Sequence, residues 1–223
     1  QRTGFSTNEV IDIEAGDENL DDTGGGHGDW AMESYLGRIN YNFGDRYIVT
    51  AAFRADGSIN FGPQKKWGYF PSVSAAWRVS EEPFFEVPFI SDLRFRYETG
   101  LTGQQGGGGA IYGTLRAGPS EWGTSFLPNR YPNPNFQWEE TATNNFGLNL
   151  GLADNRIQLE ADYYVKNTDN LILESSLPWY MGTVGNGGVG PPTVNIGSLE
   201  NRGWSVALNT ININNGSFRW ESN

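Results

Sequence analysis

The chain has 223 residues, 37% hydrophobic and 14% aromatic, with no cysteine and a formal net charge of −11. The lack of cysteine excludes disulfides, thiol catalysis and thiolate metal sites, and the acidic balance disfavours a nucleic-acid partner, because phosphate binding needs a basic face. No stretch approaches the roughly 20 consecutive apolar residues of a membrane helix, a criterion that leaves β-barrels untouched, since each of their strands crosses with about 9–11 alternating residues.

Residues 1–33 show no clear period and read as a loop region. The segment Asp17–Gly26 is acidic, but as an EF-hand it places Asp22 where glycine is required and Gly28 where the bidentate glutamate belongs. A looser calcium loop and a plain solvated acidic loop both fit it; no cofactor and no metal ligand are assigned. His27 is the one histidine, in GGGHGDW, with no strand-to-helix elbow around it, so a Ser–His–Asp hydrolase is not supported and no catalytic residue is named.

From Tyr35 onward the chain alternates. Successive side chains of a strand point to opposite faces, so each apolar run carries one apolar and one polar face. Tyr35, Gly37, Ile39, Tyr41 and Phe43 oppose Arg38, Asn40 and Asn42. After a tight turn at Gly44 and Asp45, Tyr47, Val49, Ala51, Phe53 and Ala55 oppose Arg46, Thr50, Arg54 and Asp56. A third run sets Trp67 to Val79 on odd positions against Ser72, Ser74 and Arg78. The connection from Ser80 to Asp92 follows, in which EEPFF suits a short helical turn. A fourth run sets Leu93, Phe95, Tyr97 and Leu101 against Arg94, Arg96 and Glu98.

The long connection Gly103–Asn135 contains GGGGAIYG, which lacks the Gly-Lys-Ser/Thr ending and the following helix of a phosphate loop. A fifth run ends on Phe146, Leu148 and Leu150; a short turn at Ala153–Asn155 leads to a sixth, Ile157 to Val165 against Arg156, Gln158, Glu160, Asp162 and Lys166. After the Gly- and Pro-rich stretch 167–201 come Trp204, Val206 and Leu208, then Asn214–Gly216, then an eighth run at Phe218 and Trp220. The apolar parity carries one charge, Glu140, near the end of its run and expected above the lipid. A lysine or arginine facing lipid costs about 2–4 kcal/mol at mid-membrane. Aromatic-rich apolar faces, charged opposite faces and connections that alternate short and long predict an all-β, antiparallel up-and-down transmembrane barrel segment of about 7–8 strands. The short turns are periplasmic and the long loops extracellular. The chain opens on Gln1 and stops inside an apolar run, and is read as an internal segment of something longer.

FRADGSINFGPQKKWGYFPSVSAAWRVSEEPFF (Phe53–Phe85), NPNFQWEETATNNFGLNLGLADNRIQLEADYYVKNTDNLI (Asn133–Ile172) and GSLENRGWSVALN (Gly197–Asn209) resemble the barrel of the SusC/RagA family of TonB-dependent outer-membrane transporters. The resemblance implies that residues 34–223 are part of a barrel of about 22 strands. It further implies a plug and a TonB box that are not among these residues, a SusD-like surface lipoprotein capping the outside, and TonB-driven import of oligosaccharides or oligopeptides in Bacteroidota-type bacteria. Two other classes fit the alternation alone: a small closed barrel of about eight strands acting as adhesin or enzyme, and a secreted carbohydrate-binding β-sandwich.

Candidate ligand contacts are aromatics of the outer loops: Trp122, Tyr131, Trp179 and Tyr180, with Trp67 and Trp138 nearby. Aromatic faces stack on sugars or grip peptide side chains, and girdles and loop cores use the same residue types. Arg54, Asp56, Arg94, Arg96 and Glu98 are expected to face the lumen, paired with each other or with the plug, because buried charges need partners or water.

Overall fold

The structure, a computed structural model, describes residues 29–107, 110–178, 180 and 189–223. The alternating runs become the strands β1 (Met32–Phe43), β2 (Tyr47–Ser58), β3 (Trp67–Arg78), β4 (Ile90–Gln104), β7 (Glu139–Leu152), β8 (Ile157–Asp169), β11 (Ser198–Asn214) and β12 (Arg219–Ser222). They form one eight-stranded sheet in the order β1-β2-β3-β4-β7-β8-β11-β12, every pairing antiparallel. The gaps in that order are filled by two hairpins outside the wall, β5 (Thr114–Ser120) with β6 (Gly123–Arg130), and β9 (Ile172–Glu174) with β10 (Thr193–Asn195). Both lie in the Gly- and Pro-rich long connections, where composition gave no strand signal.

Register holds the two faces apart across the wall. Ile39, Ala51 and Val73 share one apolar row. The adjacent row is Asn40, Thr50, Ser74, Glu98, Asn145 and Tyr164. A one-residue slip in any pair would move a charge onto the apolar face. Short ends close with left-handed turns. Gly44 and Asp45 have φ of 58° and 54°, and Asp154 and Asn155 have 57° and 60°. Two consecutive positive φ values give the turn whose twist matches an antiparallel hairpin.

Most of the large side chains of the apolar parity are exposed, Ile39 at 73% and Trp204 at 74%. It carries two aromatic belts. At the short-turn end Phe43, Tyr47, Trp77 and Phe95 follow one another with ring centroids 6.5 Å apart. At the long-loop end Tyr35 stacks on Trp67 at 6.0 Å and Phe53 on Tyr69 at 6.2 Å. Along β1, Tyr35 and Phe43 are separated by a rise of about 27 Å before tilt, which suits an apolar band of about 25 Å between interfacial girdles. The polar parity lines a hollow of about 920 Å³ along β1–β4, with Arg38, Thr50, Arg54, Ser74 and Glu98 on its wall.

Between β3 and β4 the helical turn covers Val79–Glu81 rather than EEPFF. Pro83 explains the shift: a residue before proline is pushed out of the helical region, and Glu82 is extended at φ −77°, ψ 140°. Glu140 is the second residue of β7, half-buried and paired with Gly103 and Asp169 at the long-loop end of the wall.

Candidate functional site

Two constellations stand on the polar side and its outer rim. The first is a charged network on the inner face. Arg96 of β4 donates from Nε to Asn149 Oδ1 (2.7 Å), and from Nη2 to Glu160 (2.6 Å) and Asp162 (3.1 Å) of β8. Its Nη1 lies 3.8 Å from Glu98. β7 lies between β4 and β8, and Gly147 is the residue paired with both Arg96 and Asp162. A Cβ there would stand 2.9 Å from Arg96 Cζ and 2.6 Å from Asp162 Oδ1. The guanidinium therefore crosses the intervening strand through the space that glycine leaves. Farther toward the short turns, Arg78 and Arg94 face each other across β3 and β4 and share Asp92 at 3.6 and 3.7 Å. Near the rim, Arg54 Nε bonds both oxygens of the buried Asp56, at 2.8 and 2.7 Å.

The five charged residues singled out by sequence thus lie on the polar face, in separate groups: Arg54 with Asp56, Arg96 with Glu98, and Arg94 with Asp92. The hub that Arg96 makes with Glu160 and Asp162 was not legible, because the pairing of β4 with β8 across β7 depends on register. Glycine among asparagines at Asn145–Asn149 was the available signal.

The second constellation is a knot of the long loops. Phe61, Phe70, Ala110, Phe136 and Trp138 form a buried cluster, with Phe136 at 0% exposure. Phe61 packs on Trp138 with centroids at 4.7 Å, and Trp138 meets Phe70 edge-on at 5.5 Å. Phe70 needs a bare backbone beside it: a Cβ on Gly103 would lie 2.1 Å from its Cζ. The NPNFQWE stretch supplies the polar ties. Asn133 donates to Thr193 O (3.0 Å), and Asn195 donates to the carbonyls of Gln137 (2.7 Å) and Asn170 (3.0 Å) while accepting from Gln137 N. Trp138 Nε1 donates to Lys66 O, and Glu139 accepts from Ile172 N (2.9 Å). Ser58 donates to Gln105 at 2.7 Å under the same roof. Three connections are thereby fastened together: 59–66, 105–138 and 170–197.

The outer aromatics separate accordingly. Trp138 is loop core, and Trp67 is girdle, its ring lying over Gly57 on the apolar face. Trp122 is 95% exposed at the turn of the β5–β6 hairpin, Tyr180 is 72% exposed, and Tyr131 is half-buried. Trp179, His27 and the acidic segment Asp17–Gly26 lie outside the described residues. Among the described residues no group of three or more His, Cys, Asp and Glu could hold a metal ion.

A model of the TonB dependent receptor-like beta-barrel family matches residues 6–223. TonB-dependent receptor P39 of Formosa agariphila is 35% identical over 213 residues, which is 91% of this chain and 19% of that protein. TonB-dependent receptor SusC of Bacteroides thetaiotaomicron is 36% identical over 200 residues, 85% of this chain and 19% of that protein. Among solved structures, the RagAB peptide importer in the closed-closed state superposes with a TM-score of 0.75 at 26% identity, covering 84% of this chain and 20% of that chain. The chain spans 19% of the length of these curated relatives. It belongs to the TonB-dependent receptor β-barrel family, and its eight-stranded sheet is outer-membrane barrel wall with one apolar and one charged face.

Proposed function

We propose that this chain is wall and outer rim of a SusC-like transporter that binds an oligosaccharide or oligopeptide outside the cell and passes it inward, driven by TonB. In this reading the wall makes and breaks no bond, and the exterior is capped by a SusD-like lipoprotein. The observation that carries the reading is the wall's two-sidedness. Belts of stacked aromatics hold one face in lipid, while the other bears a continuous polar row around a hollow. The family match and the likeness to SusC and the RagAB peptide importer support it.

Substrate contact falls to the loop aromatics Trp122 on the β5–β6 hairpin, Tyr180 and Tyr131, and to Trp179, assigned from the sequence alone. The inner charges Arg54, Asp56, Arg94, Arg96 and Glu98 form the surface against which a plug would lie. Deleting the gene of the whole transporter and supplying its host with oligosaccharides or oligopeptides as sole nutrient checks the reading. Growth is expected to fail on one of the two classes and persist on the corresponding monomers. Unchanged uptake of both classes would overturn it. Purification from detergent-solubilised outer membranes is expected to bring down a SusD-like lipoprotein with the barrel.

A further inference from the structure

The connector between β3 and β4 is unlike the other short-turn ends. It is longer, and Phe84, Val87 and Phe89 within it are 69%, 44% and 59% exposed. Three exposed apolar side chains in one loop, on the side where water would be the default environment, call for a partner. Both ends of the connector show where they are aimed.

At its start, the two adjacent glutamates part company. Glu81 turns inward, its Oε1 lying 3.4 Å from Arg78 of the polar face. Glu82 turns outward. Its carboxylate accepts from Tyr47 OH (2.6 Å), Trp77 Nε1 (3.0 Å) and Arg46 Nη1 (3.2 Å). Tyr47 and Trp77 are members of the lower aromatic belt, stacked at 6.5 Å and 7° on the lipid side of the wall. The Glu82 carboxylate is thereby held against the lower belt, where Arg46 of the opposite parity also reaches it.

The chain returns to the same belt. The β4 register shifts between Ile90 and Asp92, so that Ile90 pairs with Leu152 while Asp92 pairs with Gly151. The extra residue, Ser91, flips the parity. Without it Ile90 would share the inward face of Asp92 and Arg94; with it Ile90 joins Leu93 and Phe95 on the lipid face. Pro83 and Pro88 stiffen the path between, and a turn bond from Ile90 N to Val87 O (3.0 Å) closes it.

We propose that residues 83–89 form a foot in the periplasmic leaflet of the outer membrane, with Phe84, Val87 and Phe89 in contact with phospholipid. The foot continues the lower girdle. Glu82 is the hinge pin: as acceptor for the polar tips of Tyr47 and Trp77, it holds the loop against the girdle rather than under the pore. Glu86 is exposed and sits at the headgroup level, where a carboxylate stays hydrated.

Nitroxide labels on the full-length transporter, in a background without other cysteines, test this in phosphatidylethanolamine–phosphatidylglycerol vesicles. Phe84→Cys and Phe89→Cys are compared with Ala51→Cys on the lipid face and Ser217→Cys in a periplasmic turn. Collision with oxygen is expected to exceed collision with a water-soluble nickel chelate at both connector sites, as at Ala51→Cys, and to do the reverse at Ser217→Cys. Two results overturn the proposal: nickel-dominated collision at both connector sites, which places the loop in water, or shielding from both reagents, which packs it against protein.

Discussion

Arg96 reaches Asp162 two strands away by passing over Gly147, whose absent side chain is the channel through which the guanidinium lies. Adjacent strands are about 4.8 Å apart, so the span of roughly 10 Å needs a long side chain with several donors, and lysine offers one compact charge instead of a fork. Gly147→Ala displaces the fork from Asp162. A loss of about 1–2 kcal/mol is expected for a pair that is 22% and 18% exposed. Because Gly147→Ala and Arg96→Ala remove one shared interaction, their effects are expected not to add, with a coupling of about 1 kcal/mol. Urea unfolding of the full transporter, the two single variants and the double variant measures it; strict additivity would show that the glycine serves something other than the arginine.

Facing is open to a direct comparison on neighbouring residues. Ala51 pairs with Ile39 and Val73 on the apolar row. Thr50 pairs with Asn40 and Ser74 on the polar row, and its hydroxyl lies 2.9 Å from Asn40 Oδ1. Ala51→Arg puts a guanidinium into hydrocarbon at a cost of about 2–4 kcal/mol and is expected to cut the yield of folded barrel in the outer membrane. Thr50→Arg projects into water and is expected to insert almost normally. Folded yield read from heat-modifiable gel migration distinguishes them, and equal yields would reverse the assigned faces.

The wall was legible in the sequence because its period is short and its penalty large. Eight strands, the separation of an apolar from a polar face and the aromatics of the apolar one follow from a two-residue alternation that a single misplaced charge would spoil. The knot was not legible. NPNFQWE announces itself as a motif, but Asn133, Asn195 and Glu139 are tied to backbone groups of other loops through contacts that sequence spacing does not encode. The hairpins β5–β6 and β9–β10 were missed for a related reason. Their segments are full of glycine and proline and have no lipid or core face to enforce alternation, so turn chemistry concealed the pairing. Trp67 and Trp138 had two readings each, and packing rather than composition decided both.

Phe136 is the keystone of the rim. Phe136→Ala empties a fully enclosed site, and core Phe→Ala changes cost about 3–5 kcal/mol. The strands pair independently of it, so the expected consequence is local. Barrel yield is retained while loops 105–138 and 170–197 become susceptible to added protease on intact cells. Asn195→Ala is expected to act in the same direction, because it strands the N–H and the carbonyl of Gln137 at about 1–3 kcal/mol for an unpaired group. Protease resistance equal to wild type in both variants would show that the knot does not govern loop order.

The β5–β6 hairpin can be separated from that knot. Removing all of 103–135 would take Ala110 and Asn133 with it and open the cluster to water. Replacing only Leu115–Pro128 with a short Gly-Ser link spares both, together with the bond from Gly190 N to Asn129 O (2.9 Å). Barrel yield and protease resistance of the remaining rim are expected to match wild type, while uptake of the cognate nutrient falls at least tenfold if Trp122 and its hairpin contact substrate. Unaltered uptake would take the hairpin out of the substrate path.

Acid sensitivity at the periplasmic end should trace to Glu82. The hydrogen bond from Tyr47, reinforced by those from Trp77 and Arg46 and opposed by partial burial, holds its carboxyl below the ordinary value of 4.5. A carboxyl that is more acidic folded than unfolded binds its proton first in the unfolded state as pH falls. Its contribution is therefore complete above about pH 4.5 and is lost as the pH drops through the lower folded value. Glu82→Gln keeps an acceptor oxygen for Tyr47 and Trp77 but gives up the charge opposite Arg46 and cannot titrate. At pH 7 the variant is expected to unfold at lower urea than wild type, and the gap is expected to close as the pH falls from the ordinary value of 4.5 through the lower folded one. A gap that stays constant across the acid range would place the stabilisation in packing of the connector rather than in the ionised carboxylate.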